Sequence, residues 1–256
     1  MDFTKRIAIA LIMASVLFSG CTSNKAMKRM LTAYPASLNY IIEERPQAIK
    51  SNQQVYVEAD TSFLMMPATA DRIQGQFLPF IFYTRLKQAH LYTVDTSSVS
   101  ENLPEFLKTA FEREAHRSYK FKITENRDSA DYILNLKIEQ LSGQGVFHSL
   151  TEWYAIPYGV ITSYKVTLDN VKASCTLSYS LKDAVGNVMS SGTHQNSYIP
   201  DNKNQLIEAP AGYHYRIANG LVVNGLSNAF RGNFKAIIKE LNDLNITSTT
   251  TRTFDP

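Results

Sequence analysis

The longest alternation of apolar and polar side chains lies at 171–183, in the segment VKASCTLSYSLKD. Apolar side chains occupy every second position: Val171, Ala173, Cys175, Leu177, Tyr179 and Leu181. A period of two over this length predicts a strand with one buried face, on which Cys175 is a structural thiol. The next segment, DAVGNV, is typical of a hairpin turn because Gly186 and Asn187 tolerate unusual backbone angles. VMSSGTHQNSYI is then the returning strand, and its weak apolar pattern predicts an edge position.

Three shorter segments also have strand patterns: QQVYVEAD, KFKIT and DYILNLKIEQLS. In the first, Val55 and Val57 alternate with polar or amphipathic neighbours. In the last, Tyr132, Leu134 and Leu136 share one face, which predicts a half-buried strand paired with a neighbour.

Two segments instead repeat apolar residues at three- and four-residue intervals, which predicts amphipathic helices. The first is SENLPEFLKTAFEREAHRSY, with Ser100 as its N-cap and Pro104 in its first turn, where proline is tolerated. The second is GLVVNGLSNAFRGNFKAIIKEL, in which Val222, Leu226 and Phe230 form one row. A membrane-surface helix has the same pattern, but we favour a helix that covers the sheet.

Two apolar segments interrupt this regular pattern, at 61–99 and at 143–164. The first contains Pro67 and Pro79 and includes the run FLPFIFY, which is consistent with a buried strand or with a docking loop. The second contains the only tryptophan, Trp153, and we interpret its proline and glycine residues as marks of a loop. We therefore predict two apolar insertions in one domain.

The amino terminus has the layout of a secretory signal peptide. Lys5 and Arg6 precede an apolar run at 7–17 that contains one polar residue, Ser15, and this run is shorter than the roughly 20 apolar residues of a membrane-spanning helix. We therefore predict a signal peptide over residues 1–20.

The end of this signal, Phe18-Ser19-Gly20-Cys21, resembles the bacterial lipobox, although Phe18 stands where the family usually has leucine. The resemblance implies cleavage before Cys21 and acylation of its thiol and new amine. The alternative is an ordinary secretory signal followed by a fortuitous cysteine. Two or three acyl chains make anchoring stable, and Thr22 in place of an inner-membrane retention aspartate favours the outer membrane. We expect a lipid-anchored outer-membrane protein that faces the periplasm.

The remaining chain divides into a tether over 21–51, one domain over 52–242 and a flexible tail over 243–256. The tether contains two prolines and no sustained helical or strand repeat of apolar residues. The domain is long enough for a hydrophobic core. Loss of the signal removes two basic side chains and one acidic side chain, so the formal charge falls from +3 to +2. That balance indicates no nucleic-acid partner.

The chain carries weak signals for catalysis or metal binding. His148 and Glu152 are four residues apart, which would suit a metal pair on a helix, but the nearby Pro157 and Gly159 favour a loop. Three carboxylates surround a turn, at Glu125, Asp128 and Asp131; solvated carboxylates are the ordinary interpretation, and Arg127 is available to pair with them. No Gly-x-Ser-x-Gly nucleophile motif is present. We predict a protein that is not an enzyme and has no cofactor or metal.

The order of the predicted elements gives an α+β fold with a mainly antiparallel sheet and two principal helices on one face. The segments ADYILNLKIEQL and VKASCTLSYSLKDAVGNVMSSG, after a helix, resemble those of small envelope lipoproteins whose domain is similar to the TolB amino-terminal domain. The lipoprotein of the lipopolysaccharide-assembly translocon and the auxiliary lipoproteins of envelope ABC transport systems have related architectures. The resemblance covers about residues 52–242 and implies a non-catalytic partner of a larger envelope machine.

The favoured hypothesis is therefore an accessory or scaffold lipoprotein, held to the membrane by acyl chains on Cys21 and bound to an envelope protein. The predicted contact residues lie in the two apolar insertions, since exposed apolar patches and aromatic side chains mark interaction sites. They are Phe77, Leu78, Phe80, Ile81, Phe82, Trp153, Tyr154, Ile156 and Tyr158. Core packing is the alternative for all nine. The second hypothesis is a periplasmic lipid or small-molecule carrier with these aromatics around a pocket, and an enzyme comes third.

Overall fold

The computed structural model describes residues 29, 33, 35–42, 48–60, 70–79, 83–94, 98–99, 102–157, 159–200, 205–206 and 214–244. The predicted signal peptide, Cys21 and nearly all of the predicted tail lie outside the described residues. Among the described residues, no helix combines the length and the apolar character needed to span a membrane.

The described chain forms one eight-stranded sheet and two long helices. The strands are β1 (Gln54–Asp60), β2 (Ala70–Pro79), β3 (Tyr83–Val94), β4 (Lys122–Thr124), β5 (Tyr132–Ile156), β6 (Gly159–Asp183), β7 (Val188–Tyr198) and β8 (Gln205–Leu206). The helices are α1 (Leu103–Ser118) and α2 (His214–Asp243). A short 3₁₀ turn, Arg127–Ser129, precedes β5.

Strand β5 organises the sheet. One edge of β5 pairs along its length with β6 in antiparallel direction. Its other edge is shared: β1 pairs in parallel with the first part of β5, and β3 pairs antiparallel with the last part. We call the β4-β1-β5-β6-β7 region the proximal sheet and the β2-β3-β5-β6 region the distal sheet. The predicted α+β class is confirmed, and the sheet is mixed because β1 pairs in parallel with both β4 and β5.

The core lies between the sheet and the two helices, on a surface that we call the inner face, and it extends into the distal sheet at Tyr92, Phe147 and Leu168. All six apolar positions of the alternating segment at 171–181 are buried there, including Cys175 at 1% exposure. The helices meet over this face, with Phe106 against Phe230 and Phe111 against Phe234, each pair with ring centroids 5.5 Å apart. The apolar row of α2 is buried in this core, which confirms a helix that covers the sheet.

Helix α2 approaches the sheet closely at two glycines. A Cβ atom on Gly225 would lie 2.9 Å from the Cβ of Ala173 in β6, and one on Gly232 would lie 2.8 Å from Asn196 in β7. Neither distance is compatible with a real side chain, so the two glycines set how near the helix axis lies to the strands.

The predicted hairpin after β6 is confirmed. Gly186 has a φ of +99°, a conformation that favours glycine. The Asp183 carboxylate accepts hydrogen bonds from the backbone N–H groups of Val185 at 3.0 Å and Asn187 at 2.8 Å. Strand β7 pairs with β6 alone within the described part of the chain, as an edge strand. Helix α1 begins later than predicted: its N-cap is Asn102 rather than Ser100.

The predicted loop in the second apolar insertion is wrong for the described residues, and in the first insertion, where a buried strand and a docking loop were both open, the described residues are strands. Residues 70–79 and 83–94 form the strands β2 and β3, and 143–156 and 159–164 continue β5 and β6. For the second insertion, register shifts between Ile138 and Gln140 and between Gln144 and Val146 explain the error, because they lie just before and at the start of that segment. Each bulge adds one residue to one strand, so the apolar side chains change from even-numbered to odd-numbered positions or the reverse. The regular alternation of apolar and polar residues is therefore interrupted in the sequence.

Candidate interaction site at the end of the long hairpin

Strands β5 and β6 form one long hairpin that extends the sheet beyond the core. Each strand has 25 residues, and their pairing runs from Tyr132 opposite Asp183 to Ile156 opposite Gly159. At about 3.3 Å per residue, the hairpin is roughly 80 Å long along its strands. Its partner β3 stops at Tyr83, which pairs with Tyr154. We call the last three pairs of the β5–β6 ladder, 154–156 and 159–161, the hairpin tip.

The outer face of the hairpin tip is apolar and exposed. Tyr154, Ile156 and Ile161 are 39%, 45% and 54% exposed, and Tyr154 and Ile161 are direct cross-strand partners. The ring of Tyr83 lies beside that of Tyr154, with centroids 4.9 Å apart. Because β3 and β6 flank β5 here, the register of a rigid sheet fixes these side chains together.

The inner face of the hairpin tip is also apolar. Val160 is 53% exposed and pairs with the exposed Ala155. Behind this pair, Trp153 is half-buried and Tyr164 is exposed, and the alternation along the strands puts both on the inner face. The ring of Tyr164 meets that of His214 at the start of α2 in an edge-to-face contact, with centroids 5.1 Å apart. We call Trp153 and Tyr164 the inner aromatic pair.

Cationic side chains lie behind the hairpin tip on the outer face. Arg85 pairs with Glu152, and Lys87 and Lys165 flank Leu150 on its two sides. The Arg85 Nε atom is 3.7 Å from Glu152 Oε1. These cations line an open groove of about 390 Å³ that also contains His148 and Asp169.

Glu152 is shared between Arg85 and Tyr83. The Tyr83 hydroxyl donates a hydrogen bond of 2.7 Å to Glu152 Oε1. This bond to the carboxylate is the largest cause that raises the pKa of Tyr83 to about 12, because it stabilises the protonated phenol. The Tyr154 hydroxyl also donates to Glu152, at 3.3 Å from Oε2. Glu152 therefore contacts three neighbours, and Lys87 and Lys165 are further cations of the same face.

The structure brings only some of the predicted contact residues together. Trp153, Tyr154 and Ile156 lie together near the end of β5, on a strand rather than in the predicted loop. In β2, Leu78 pairs with Arg85 and is half-buried, and the backbone of Phe77 pairs with Leu86. The remaining predicted residues lie outside the described part of the chain: Cys21, Phe80, Ile81, Phe82 and Tyr158.

Sequence reasoning missed the residues that β6 contributes to this site. Val160, Ile161 and Tyr164 lie within the predicted insertion at 143–164, but the predicted contact residues of that insertion end at Tyr158. The signal was present in the segment GVITSYKV, which is rich in the β-branched and aromatic residues of strands. Read as the second strand of a hairpin, it would have indicated the partners of Tyr154 and Ile156.

The structure gives the surroundings of several candidate metal and acid–base groups. His148 and Glu152 lie on one strand, where four residues span about 13 Å, too far to ligate one ion. Asp131 accepts a hydrogen bond from the Gln54 backbone N–H at 2.8 Å, and Arg127 pairs with Glu58 at 3.2 Å. Within the described ranges, no group of three or more His, Cys, Asp or Glu side chains is placed to hold a metal ion.

A larger groove of about 980 Å³ lies on the outer face of the proximal sheet. Its lining includes Tyr56 and the polar side chains of Glu58, Asn135, Lys137, Ser180 and Lys182. Trp153 and Tyr154 lie outside this groove. It is therefore not the aromatic-lined pocket that the carrier hypothesis predicts.

Comparisons with known proteins found a weak structural similarity. No family model matches the chain, and no curated protein matches it. Among solved structures, protein XCC0632 from Xanthomonas campestris, of the family DUF330, is similar at 11% identity and a TM-score of 0.38. The match covers 80% of this chain and 95% of that one. A similarity of this size assigns neither a family nor a function to this protein.

Proposed function

We propose that this protein is a non-catalytic, lipid-anchored envelope lipoprotein and an accessory or scaffold component of a larger envelope assembly. The amino-terminal pattern that ends at Cys21 supports the anchor, and the resemblance to lipoproteins with a TolB amino-terminal-like domain supports the role. The observation that carries the proposal is the inner aromatic pair, Trp153 and Tyr164, displayed near the end of the long hairpin.

The inner aromatic pair suits a protein partner. Trp and Tyr are the side chains most enriched at binding hot spots, because they contribute a large contact area with few rotatable bonds. Here both project from paired strands, and the buried His214 packs against Tyr164. A preorganised surface loses little conformational entropy on binding. The domain therefore acts as a rigid arm that presents this pair to a partner at the membrane face.

Site-specific photo-crosslinking in intact cells tests the proposal. Photo-reactive residues replace Trp153 and Tyr164, and a control replaces Val185, which is 86% exposed in the turn at the other end of the hairpin. We expect one envelope protein to be captured at Trp153 and Tyr164 and not at Val185. Capture of lipid alone, or of this chain alone, at both positions would contradict the scaffold role. Capture of a small molecule at Trp153 would favour the carrier.

A further inference from the structure

The hairpin tip is apolar on both faces of the β5–β6 pair. Tyr154, Ile156 and Ile161 project from the outer face, and Ala155 and Val160 from the inner face. A flat protein surface covers one face of a strand pair. A tip that is apolar all round instead suits a medium that surrounds it, as the interfacial region of a bilayer does.

The side chains of the outer face are layered along the strands. Ile156 lies at the end, and Tyr154 with its neighbour Tyr83 follows two residues behind, about 7 Å along the strand. Tyrosine rings concentrate at the level of lipid headgroups, where one end of the ring is apolar and the other is hydrated. The depth from Ile156 to Tyr154 is within the roughly 5–10 Å to which interfacial protein segments enter a membrane.

The cations lie at the next level. Arg85 is the cross-strand partner of Glu152, about 13 Å from Ile156 along the strand. Lys87 and Lys165 are the cross-strand partners of Leu150, about 20 Å from Ile156. Long basic side chains reach back toward phosphates while their stems cover apolar surface. Because Glu152 already accepts from Tyr83 and pairs with Arg85, the two lysines offer positive charge to anionic headgroups.

From this layering we propose that the hairpin tip enters the interfacial region of an anionic lipid bilayer. The domain then touches the membrane at a second point besides any acyl chains on Cys21. The unpaired backbone groups at the strand edges limit how deeply the hairpin tip enters the bilayer, because such groups are costly in the hydrocarbon core. This contact goes beyond the proposed function, because it depends neither on a protein partner nor on the inner aromatic pair.

The only tryptophan of the chain reports on this contact, because Trp153 is adjacent to Tyr154. The full-length protein is reconstituted into phosphatidylethanolamine–phosphatidylglycerol vesicles whose acyl chains carry bromine near the headgroup, and Trp153 emission is measured. We expect quenching relative to unbrominated vesicles, and its loss in the double variant I156D/I161D. In phosphatidylcholine vesicles, or with K87E/K165E, the quenching should fall.

The matched control is V185D/V188D, which adds the same charges at exposed valines in the opposite end of the hairpin and should leave the quenching unchanged. Circular dichroism checks that each variant is folded.

Equal quenching in wild type and I156D/I161D would overturn the proposal, as would the absence of quenching in wild type. A third outcome would also contradict the proposal: the protein self-associates in lipid-free solution, I156D/I161D abolishes this association, and vesicles cause no quenching. The hairpin tip would then bind a second copy of the chain. Protein crosslinks at Trp153 and Tyr164 are independent of these readouts, so either proposal can fail alone.

Discussion

At the scale of single residues, the clearest electrostatic feature is the contact between Tyr83 and Glu152. It joins β3 to β5 just behind the hairpin tip, at a hydroxyl–carboxylate distance of 2.7 Å. The contact holds Tyr83 beside Tyr154 and occupies the carboxylate of Glu152.

We predict that E152Q lowers the pKa of Tyr83 from about 12 toward the ordinary tyrosine value of about 10. The amide carries no charge, so deprotonation of the neighbouring phenol is no longer opposed. Titration of the tyrosine ring carbons by NMR measures the shift. The control E139Q, elsewhere on β5, should leave Tyr83 unchanged. A Tyr83 pKa that stays the same in E152Q would contradict this account of the hydrogen bond.

At the scale of elements, two kinds of contact hold α2 in place: aromatic packing in the core and polar contacts at the sheet edge. Phe234 is fully buried and its ring contacts those of Phe111, Phe230 and Tyr40. At the edge, Glu240 of α2 reaches Tyr179 of β6 at 2.7 Å and His194 of β7 at 3.1 Å. The edge strand is thereby tied to the helix that covers the sheet.

We predict that F234A lowers the free energy of unfolding by about 3–5 kcal/mol, because it removes a buried ring and leaves a cavity. V188A, at a residue 57% exposed, should change stability by less than about 0.5 kcal/mol. Urea unfolding measures both. Similar losses in the two variants would show that α2 does not form the core described here.

The Glu240 contacts predict a pH-dependent contribution to stability. The hydrogen bond from Tyr179 is the largest cause that lowers the pKa of Glu240 in the folded protein. A lowered carboxyl pKa stabilises the fold above the unfolded-state pKa, and this contribution is lost as the pH falls through the folded-state value. Y179F should therefore cost more stability at neutral pH than in acid. S190A, which removes another hydroxyl partner of Tyr179, should cost the same at both. A Y179F loss independent of pH would contradict the assignment.

Sequence patterns predicted the proximal sheet and failed in the distal sheet for a physical reason. In β6, the period of two persists from Val171 to Leu181 because one face is buried and the other is solvated. Near Trp153 both faces are apolar and bulges shift the register, so neither periodicity nor polarity marks a strand. Of the predicted contact residues, Trp153 is half-buried, and Tyr154 and Ile156 are exposed. Their β6 neighbours were missed because the segment GVITSYKV was interpreted as part of a loop and not as the second strand of a hairpin.

At the scale of the whole molecule, the core and the candidate contacts are separated along the long hairpin. The helices cover the proximal sheet, whereas the exposed apolar residues lie at the distal end, at Tyr154, Ile156, Val160 and Ile161. Substitutions at the tip should thus alter binding without unfolding the core. This separation suits a protein held at a membrane by one end of the chain and engaged with the envelope through the hairpin.

The most direct test of the account is the intact mass of the mature protein purified from membranes, because the envelope role depends on the anchor. We predict a chain that begins at Cys21 and carries two or three acyl chains, with C21S retained as an uncleaved precursor. A mature chain with an unmodified Cys21, or one cleaved at another residue, would contradict the lipoprotein assignment on which the proposed function rests.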